Sequence, residues 1–149
     1  MSKILEDFRD EAKERECGSC FVVIMSHGGT TADSVTMDDM NQVDLYQDIV
    51  YPFSDHDDFR YKPKIFIVQA CQSFRDQPER REEEGGGPIR DILIAHSTIP
   101  HKTANRTKSV GAFYIAAIIK IFQKFAREDP IHIMLDAVSF SCVIELHNK

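Results

Sequence analysis

Two residues that can perform covalent chemistry stand at the ends of two apolar runs. The run from Lys64 to Ala70 is followed by Cys71, and the run from Cys20 to Met25 is followed, after one serine, by His27. A thiol is mostly protonated at neutral pH, and an adjacent imidazole can take its proton to give the nucleophilic thiolate. The two residues are therefore candidates for a nucleophile and its base.

The elements that position these residues follow from the same pattern. Both runs are rich in β-branched and aromatic residues, which predicts buried parallel strands. The apolar residues from Val43 to Phe53 have helical spacing, so we expect a helix that joins the strands in a right-handed unit. If the strands are neighbours, His27 and Cys71 lie about 5 Å apart, or about 10 Å apart with one strand between them. The backbone N–H groups of Gly28 and Cys71 can then hold an oxyanion.

A purely structural interpretation stands beside the catalytic one. Cys71 can be a buried core thiol and His27 a turn residue, since the glycines that follow His27 allow a sharp turn. For a cysteine and a histidine taken at random, the structural interpretation is favoured by about nine to one. Their paired placement at strand ends lowers these odds, and spacing alone leaves both interpretations open.

The rest of the chain supplies a third strand and three more helices. We expect a helix that begins at Ser2, a second that follows Gly111 and ends before Pro130, a third from Ile131, and a strand from Ile92 to Ala95. The segment from Arg75 to Pro88 is charged and glycine-rich, which predicts an exposed linker open to proteases. Three strands are fewer than the ~5 to 6 of a typical sheet, so one strand edge is left unprotected and the sequence looks like most of a domain.

Composition excludes several classes of protein. The chain has 149 residues, of which 42% are hydrophobic, and this fits one globular domain. A net charge of -6 without a basic cluster argues against nucleic acid as a partner. No apolar run approaches the ~18 residues of a membrane span, so we expect no membrane association and a cytoplasmic location. Four cysteines suit a reducing compartment better than a disulfide framework.

The residues around the two strand ends resemble the caspases. The segment Gln69-Ala70-Cys71-Gln72 is similar to the family's nucleophile motif, and Ser26-His27-Gly28 matches its histidine motif, with His27 44 residues before Cys71. The segment from Arg106 to Ile115 resembles the family's small-subunit segment. The resemblance covers nearly the whole chain and implies an α/β, caspase-like three-layer sandwich, with a mostly parallel sheet and helices on both faces.

The resemblance implies a role for each matched residue. His27 is the catalytic histidine, Cys71 the nucleophile and Gly28 a backbone donor of the oxyanion hole. Gln69 and Arg106 form the pocket for a substrate aspartate, which fits the paired hydrogen bonds that a guanidinium makes to a carboxylate. Without the resemblance, Arg106 is about four to one more consistent with a solvated loop cation.

The resemblance also implies an activity and partners. The activity is cysteine endopeptidase cleavage after Asp in protein substrates, in apoptotic or related regulated proteolysis, without a cofactor or a metal. The partner is a second copy of the chain or another caspase. Residues 1–76 are the large-subunit-like part of one domain, residues 77–90 an intersubunit-type linker and residues 91–149 the small-subunit-like part. Asp76 is the expected processing site.

The sequence also departs from the family pattern. Ser73 stands where the family usually has Gly, Asn105 replaces an aromatic residue, and Phe113 replaces Trp. The family's first strand and helix, which supply a second aspartate-binding arginine, have no counterpart, and neither has its last strand at the dimer seam. The alternative interpretation is therefore a truncated or inactive homologue that regulates full-length caspases by pairing with them. A third is a plain doubly wound binding domain, favoured if Cys71 is buried and unreactive.

Two further motifs are weaker candidates. Cys17-Gly18-Ser19-Cys20 has the spacing of a redox or zinc motif, but it precedes a strand, and we expect Cys20 to point into the core. The segment from Ser54 to Asp58 is acidic and contains a histidine, and we expect a solvated turn without a metal.

Overall fold

The computed structural model describes the following parts of the chain: residues 2–31, 33–37, 40–54, 57–72, 90–98, 104, 106–107 and 111–147. Contacts divide the chain into two compact units, residues 1–103 and residues 104–149. The division into large-subunit-like and small-subunit-like parts that the sequence implies stays a prediction.

Six strands lie in the described part of the first unit. In chain order they are β1 (Cys20–Met25), β2 (His27–Gly28), β3 (Ser34–Thr36), β4 (Gln42–Asp44), β5 (Lys64–Gln69) and β6 (Ile92–His96). The strands β1, β5 and β6 form a parallel sheet with β5 in the centre, and β2, β3 and β4 form an antiparallel sheet. The three strands expected from the apolar runs are thus confirmed, and β1 and β5 are direct neighbours.

The central strand β5 is buried along its whole length, and its four apolar residues from position 65 to 68 predict the burial of its middle. It pairs with β1 from Cys20 opposite Lys64 to Met25 opposite Gln69. It pairs with β6 on the other side, so that Val68 stands opposite His96. Because all three strands run in one direction, their carboxyl ends meet at one edge of the sheet.

The hydrophobic core of the first unit covers one face of this sheet. It includes residues of α1 (Ser2–Glu14), of the π-helical turn Leu45–Val50 and of α2 (Tyr51–Ser54). The ring of Phe53 lies at its centre, with centroids 5.3 Å from Phe59 and 5.7 Å from Phe66. Burying such aromatic rings supplies much of the hydrophobic stabilisation.

The connection between β1 and β5 differs from the expected single helix. Helical structure is present at Leu45–Val50 and Tyr51–Ser54, but Val43 lies in β4 and pairs with Val35 of β3. Asp44 then caps the π-helical turn, since its carboxylate accepts hydrogen bonds from the N–H groups of Tyr46 and Gln47. The expectation of a helix from Val43 is wrong, because cross-strand pairing overrides the local spacing.

The second unit consists of a short hairpin and two helices in its described part. The hairpin pairs β7 (Arg106–Thr107) with β8 (Gly111–Ala112), so that Arg106 lies in a strand rather than in the loop that the residues alone favour. The helices α3 (Phe113–Phe125) and α4 (Ile131–His147) pack against each other and bury Tyr114 and Val138, as their apolar faces predict. None of the described helices is long and apolar enough to cross a membrane.

Candidate active site

Cys71 lies where the sequence places it, at the end of the most buried strand of the sheet and separated from its last residue by Ala70. Its neighbours Ala70 and Gln72 are buried, whereas the cysteine itself is only partly buried. Cys71 is therefore held by a rigid strand at the carboxyl edge, where α/β sheets gather their ligands and chemistry. A partly buried thiol in this position differs from the buried, inert core thiol of the structural interpretation.

The end of β1 approaches Cys71 closely. The N–H group of Ser26 donates to the carbonyl of Gln69 over 3.1 Å, which extends the parallel pairing beyond Met25. A Cβ atom added to Gly28 would overlap the carbonyl oxygen of Cys71 and would lie 3.2 Å from its Cβ. The backbones that carry His27 and Cys71 are thus in contact at this edge.

The reason for a glycine at position 28 differs from the sequence expectation. Among the glycines described, only Gly111 has a positive φ, so neither Gly28 nor Gly29 needs the left-handed conformation that a sharp turn would require. Gly28 is needed because a side chain has no room beside Cys71, and Gly29 because a Cβ would overlap the hydroxyl of Ser34. Close approach of the backbone, rather than turn geometry, therefore sets both residues.

The antiparallel sheet fixes the histidine segment from its other side. His27 stands opposite Thr36, and the hydroxyl of Ser26 donates to the carbonyl of Thr36. The Thr36 hydroxyl donates in turn to the carbonyl of Gly28 over 3.2 Å. Gly29 donates its N–H to the carbonyl of Ser34 over 2.8 Å. His27 is exposed at the edge while the backbone on both sides of it is anchored.

The end of β6 anchors the segment around Cys71 in the same way. Ser97 donates its N–H to the carbonyl of Val68 over 2.8 Å, and the Thr98 hydroxyl donates to the carbonyl of Ala70 over 3.3 Å. The side-chain amide nitrogen of Gln72 lies 2.9 Å from Nδ1 of His96. Backbone and side-chain contacts from β6 therefore reach the residues on both sides of the cysteine.

Three buried polar atoms in the described part of the chain have no hydrogen-bond partner, and all three are near this edge. They are Oε1 of Gln69, Oε1 of Gln72 and Oγ of Ser97. An unsatisfied buried polar atom costs roughly 1 to 3 kcal/mol, so such atoms are rare in stable interiors. Their concentration beside Cys71 is the pattern expected of a functional region rather than of a core.

The remaining site residues predicted from sequence are placed as follows. Gln69 is the last residue of β5, and 93% of its surface is buried (7% exposed). Arg106 begins β7 of the second unit and pairs with Ala112. The predicted processing site Asp76 and the altered residue Ser73 lie outside the described residues. The substrate-binding role of Gln69 and Arg106 stays a prediction.

The cysteine pair Cys17 and Cys20 has the wrong character for redox or zinc chemistry. Cys20 is 3% exposed and belongs to the hydrophobic core, as predicted, and both thiols are free. Burial raises the pKa of Cys20 to about 11, although the charge of Lys64 opposes part of the rise. Reactive and metal-binding cysteines have lowered pKa values, so Cys20 has the character of a structural core thiol.

The sequence reasoning missed the contribution of β6 to the site. His96 and Gln72 are 24 residues apart, and only the pairing of β6 with β5 brings them together. The available signal was the position of His96 at the end of the third predicted strand. Burial lowers the pKa of His96 below its usual 6.5, while the nearby Asp33 carboxylate acts in the opposite direction.

The fold and the edge together define a class of protein. The chain is an α/β domain with a parallel sheet, and a cysteine and a histidine lie at the carboxyl ends of adjacent strands. A caspase domain family model matches residues 1–143, and the chain belongs to this family of cysteine peptidases.

Individual relatives support the same assignment. The chain is 27% identical to caspase-4 of Mus musculus over 151 residues, covering 85% of this chain and 40% of the relative. It is 28% identical to caspase a of Danio rerio, covering 88% and 39%. The structure of caspase-1 from Spodoptera frugiperda superposes with a TM-score of 0.69 at 21% identity, covering 91% of this chain and 56% of that chain. The expected caspase-like fold is thus confirmed, and the chain spans about 40% of the length of these curated relatives.

Proposed function

We propose that this chain carries a cysteine endopeptidase site that cleaves protein substrates after Asp. The observation that carries the proposal is the contact between Gly28 and Cys71, because it sets the histidine segment beside the cysteine segment at the carboxyl edge. In the reaction, the His27 imidazole takes the proton of the Cys71 thiol. The sulfur then attacks the carbonyl carbon of the scissile bond.

The charge that develops on the carbonyl oxygen needs preorganised donors. Gly29 bonds to Ser34 of the neighbouring strand, and the alternation of an antiparallel ladder directs the N–H of Gly28 away from that strand. This N–H and that of Cys71 are our candidates for the oxyanion hole. The leaving amine takes the proton from His27, and water then hydrolyses the thioester on Cys71 to release the acid and restore the thiol.

We assign selection of aspartate to Gln69 and Arg106 on the family resemblance and on the chemistry of their side chains. Gln69 lies two residues before Cys71 at the end of β5, and the guanidinium of Arg106 matches a carboxylate in charge and shape. We further propose processing at Asp76, a cytoplasmic location and a role in regulated proteolysis such as apoptosis. Association with a second copy or with another caspase belongs to the same proposal.

The decisive experiment is labelling with an aspartyl electrophile, such as an aspartyl fluoromethyl ketone, followed by intact mass measurement. We expect one adduct per chain, lost in Cys71→Ala and in His27→Ala and retained in Cys142→Ala, since Cys142 is also partly buried and serves as a matched control. The proposed chemistry would be refuted if labelling persisted in Cys71→Ala. It would also be refuted if an electrophile without the aspartyl group labelled the chain equally well.

A second candidate function is favoured by a surface of β1. Phe21, Val23 and Met25 project from the sheet on the side opposite the core, and each is at least 50% exposed on a strand that lacks a second neighbour in the described part of the chain. Such a strand invites pairing with another chain. This favours a regulator that binds full-length caspases, or a protease that depends on a partner.

Size measurements separate these two functions. A monodisperse monomer that reacts rapidly with the aspartyl probe would support an independent protease. Absence of labelling, together with co-elution with a full-length caspase that Val23→Lys abolishes, would support the regulator. Lys120→Ala, which changes an exposed residue of α3, is the control for a general change in surface charge.

A further inference from the structure

The contact between Gln72 and His96 is unlike the other anchors of the Cys71 segment. Gln72 directly follows the cysteine, and the residue is only 8% exposed. We propose that His96 is a positioning residue for Cys71, which holds the segment 70–72 through Gln72 and does so only as a neutral imidazole. This inference rests on the proposed function, because it concerns how that site's thiol is held.

The chemistry of the contact fixes its direction. The amide nitrogen of Gln72 can only donate, so Nδ1 of His96 must accept and the neutral ring carries its proton on Nε2. A protonated ring has a hydrogen on both nitrogens and cannot accept this bond. Rotating the amide would offer Oε1 to the ring, but it would move the NH2 group into the buried position where Oε1 has no described partner. Protonation of His96 therefore either breaks the contact or, if the amide rotates so that Oε1 accepts from the ring, leaves the NH2 group of Gln72 buried without a described partner.

The charged groups around His96 favour the neutral ring at neutral pH. Burial lowers the pKa of His96 from 6.5, and this effect exceeds the opposing effect of the Asp33 carboxylate. On β5, the strand packed against β6, the titratable residue is Lys64, four residues from the position opposite His96. The titratable residues at the same edge are Cys71, which precedes Gln72, and His27 at the end of β1.

The sign of the pH effect follows from the direction of this shift. The folded protein binds a proton at His96 less readily than the unfolded chain, so folding stability is lost as the pH falls through 6.5 and below. Two described contacts nearby, from Ser97 to Val68 and from Thr98 to Ala70, involve no titratable group. Acid should therefore loosen the Cys71 segment before it unfolds the domain.

The first test uses nuclear magnetic resonance on the labelled full chain and requires no activity. Between about pH 5 and pH 8, the Gln72 side-chain NH2 and the Cys71 amide should shift together with the titration of the His96 ring. In His96→Asn these shifts should disappear, because the Asn side chain offers an acceptor that does not titrate. The inference would be overturned if the chemical shifts of Gln72 and Cys71 did not change as His96 titrates.

The second test follows the rate at which the aspartyl electrophile modifies Cys71. His96→Phe keeps the ring but removes the acceptor, and it should slow the maximal rate by about 10- to 100-fold while the half-saturating concentration stays within about twofold. At neutral pH, the labelling rate of His96→Asn should equal that of the wild type. As the pH falls, this rate should decline less than the wild-type rate. His132→Asn, at an exposed position of α4, should change neither value.

These outcomes separate the inference from the function on which it rests. If the coupled titration is seen but no adduct forms in the wild-type chain, the protease proposal fails and the positioning contact stands. If the adduct forms at the same rate and with the same pH dependence in His96→Phe and wild type, the protease proposal stands and the positioning role is excluded.

Discussion

The amino and carboxyl edges of the same three strands are built in opposite ways. At the amino edge, Cys20 and Lys64 are buried, and the ammonium of Lys64 donates to the carbonyls of Phe59 and Lys62 over 3.0 and 2.9 Å. At the carboxyl edge, polar atoms of Gln69, Gln72 and Ser97 are buried without described partners. Polar groups at the amino edge therefore stabilise the fold through hydrogen bonds. The buried polar atoms at the carboxyl edge lower the stability of the fold instead, as is expected of groups kept for function.

Backbone strain is found at the amino edge, whereas the unsatisfied polar atoms are found at the carboxyl edge. Glu16, Tyr61 and Asp91 precede β1, β5 and β6 respectively, and all three have a positive φ between 50° and 63°. No described non-glycine residue of the carboxyl edge adopts this conformation. Within the parallel sheet, such strain therefore lies at the amino edge, and the remaining described non-glycine residue with a positive φ, Met40 at 65°, lies between β3 and β4. The candidate site depends on close contact and unsatisfied polar atoms instead.

The largest expected effect concerns the contact between the two strand ends. Gly28→Ala should lower the free energy of unfolding by about 3 kcal/mol and abolish labelling of Cys71, because the new Cβ overlaps backbone that cannot move aside easily. Chemical denaturation measures the first effect and intact mass the second. The matched control is Gly18→Ala, whose Cβ would meet nothing within 4 Å and which should change stability by less than about 0.5 kcal/mol. Equal effects of the two changes would contradict the proposed contact.

The amino edge should respond in stability alone. Lys64→Met keeps the length of the side chain but leaves two carbonyls without their donor, which should cost about 2 kcal/mol. The labelling rate of Cys71 should stay unchanged in the folded protein. Lys120→Met is the exposed control, expected within about 0.5 kcal/mol of wild type. A parallel loss of labelling would mean that the two edges are not independent.

The carboxyl edge should respond in activity rather than stability. Gln69→Met removes a buried oxygen that has no described partner, so we expect a change in unfolding free energy within about 1 kcal/mol. Labelling by the aspartyl probe should fall about tenfold, because the variant lacks a hydrogen-bonding group that we propose binds the aspartate. A probe with a neutral residue in place of aspartate should be unaffected. A large loss of stability with no change in labelling would assign Gln69 to the core.

The smallest effect should come from relieving strain at the amino edge. Tyr61 is 75% exposed with φ 63°, and Tyr61→Gly should raise the free energy of unfolding by about 0.5 kcal/mol, since glycine adopts this conformation without a steric penalty. Asp91→Gly should give less, because aspartate tolerates the left-handed region better than tyrosine. Thermal denaturation of both variants measures the difference. If Tyr61→Gly lowered the free energy of unfolding, the contacts of the tyrosine ring would stabilise the fold by more than its strained backbone destabilises it.

The parallel sheet could be predicted from sequence because burial on both sides leaves a continuous local signal, seen best in β5. The antiparallel sheet could not, since strands of two or three residues carry no periodicity, and the apolar Val43 fitted a helix equally well. The approach of Gly28 to Cys71 and the pairing of Gln72 with His96 depend on residues far apart in the chain. Local sequence patterns do not reveal contacts between residues that are distant in the chain. Only the placement of residues at strand ends was therefore predictable.

The position of β5 between two strands also determines how long the candidate nucleophile keeps its place. Amide hydrogens of a fully buried central strand exchange with solvent only when the whole domain opens, whereas edge strands exchange through smaller fluctuations. Cys71 lies two residues after Gln69, the last paired residue of this strand. The carbonyl of Ala70, between them, accepts a hydrogen bond from the Thr98 hydroxyl. We therefore expect the thiol to follow the slowest-exchanging strand of the sheet, while His27 follows β1, which pairs on one side only in the described part of the chain.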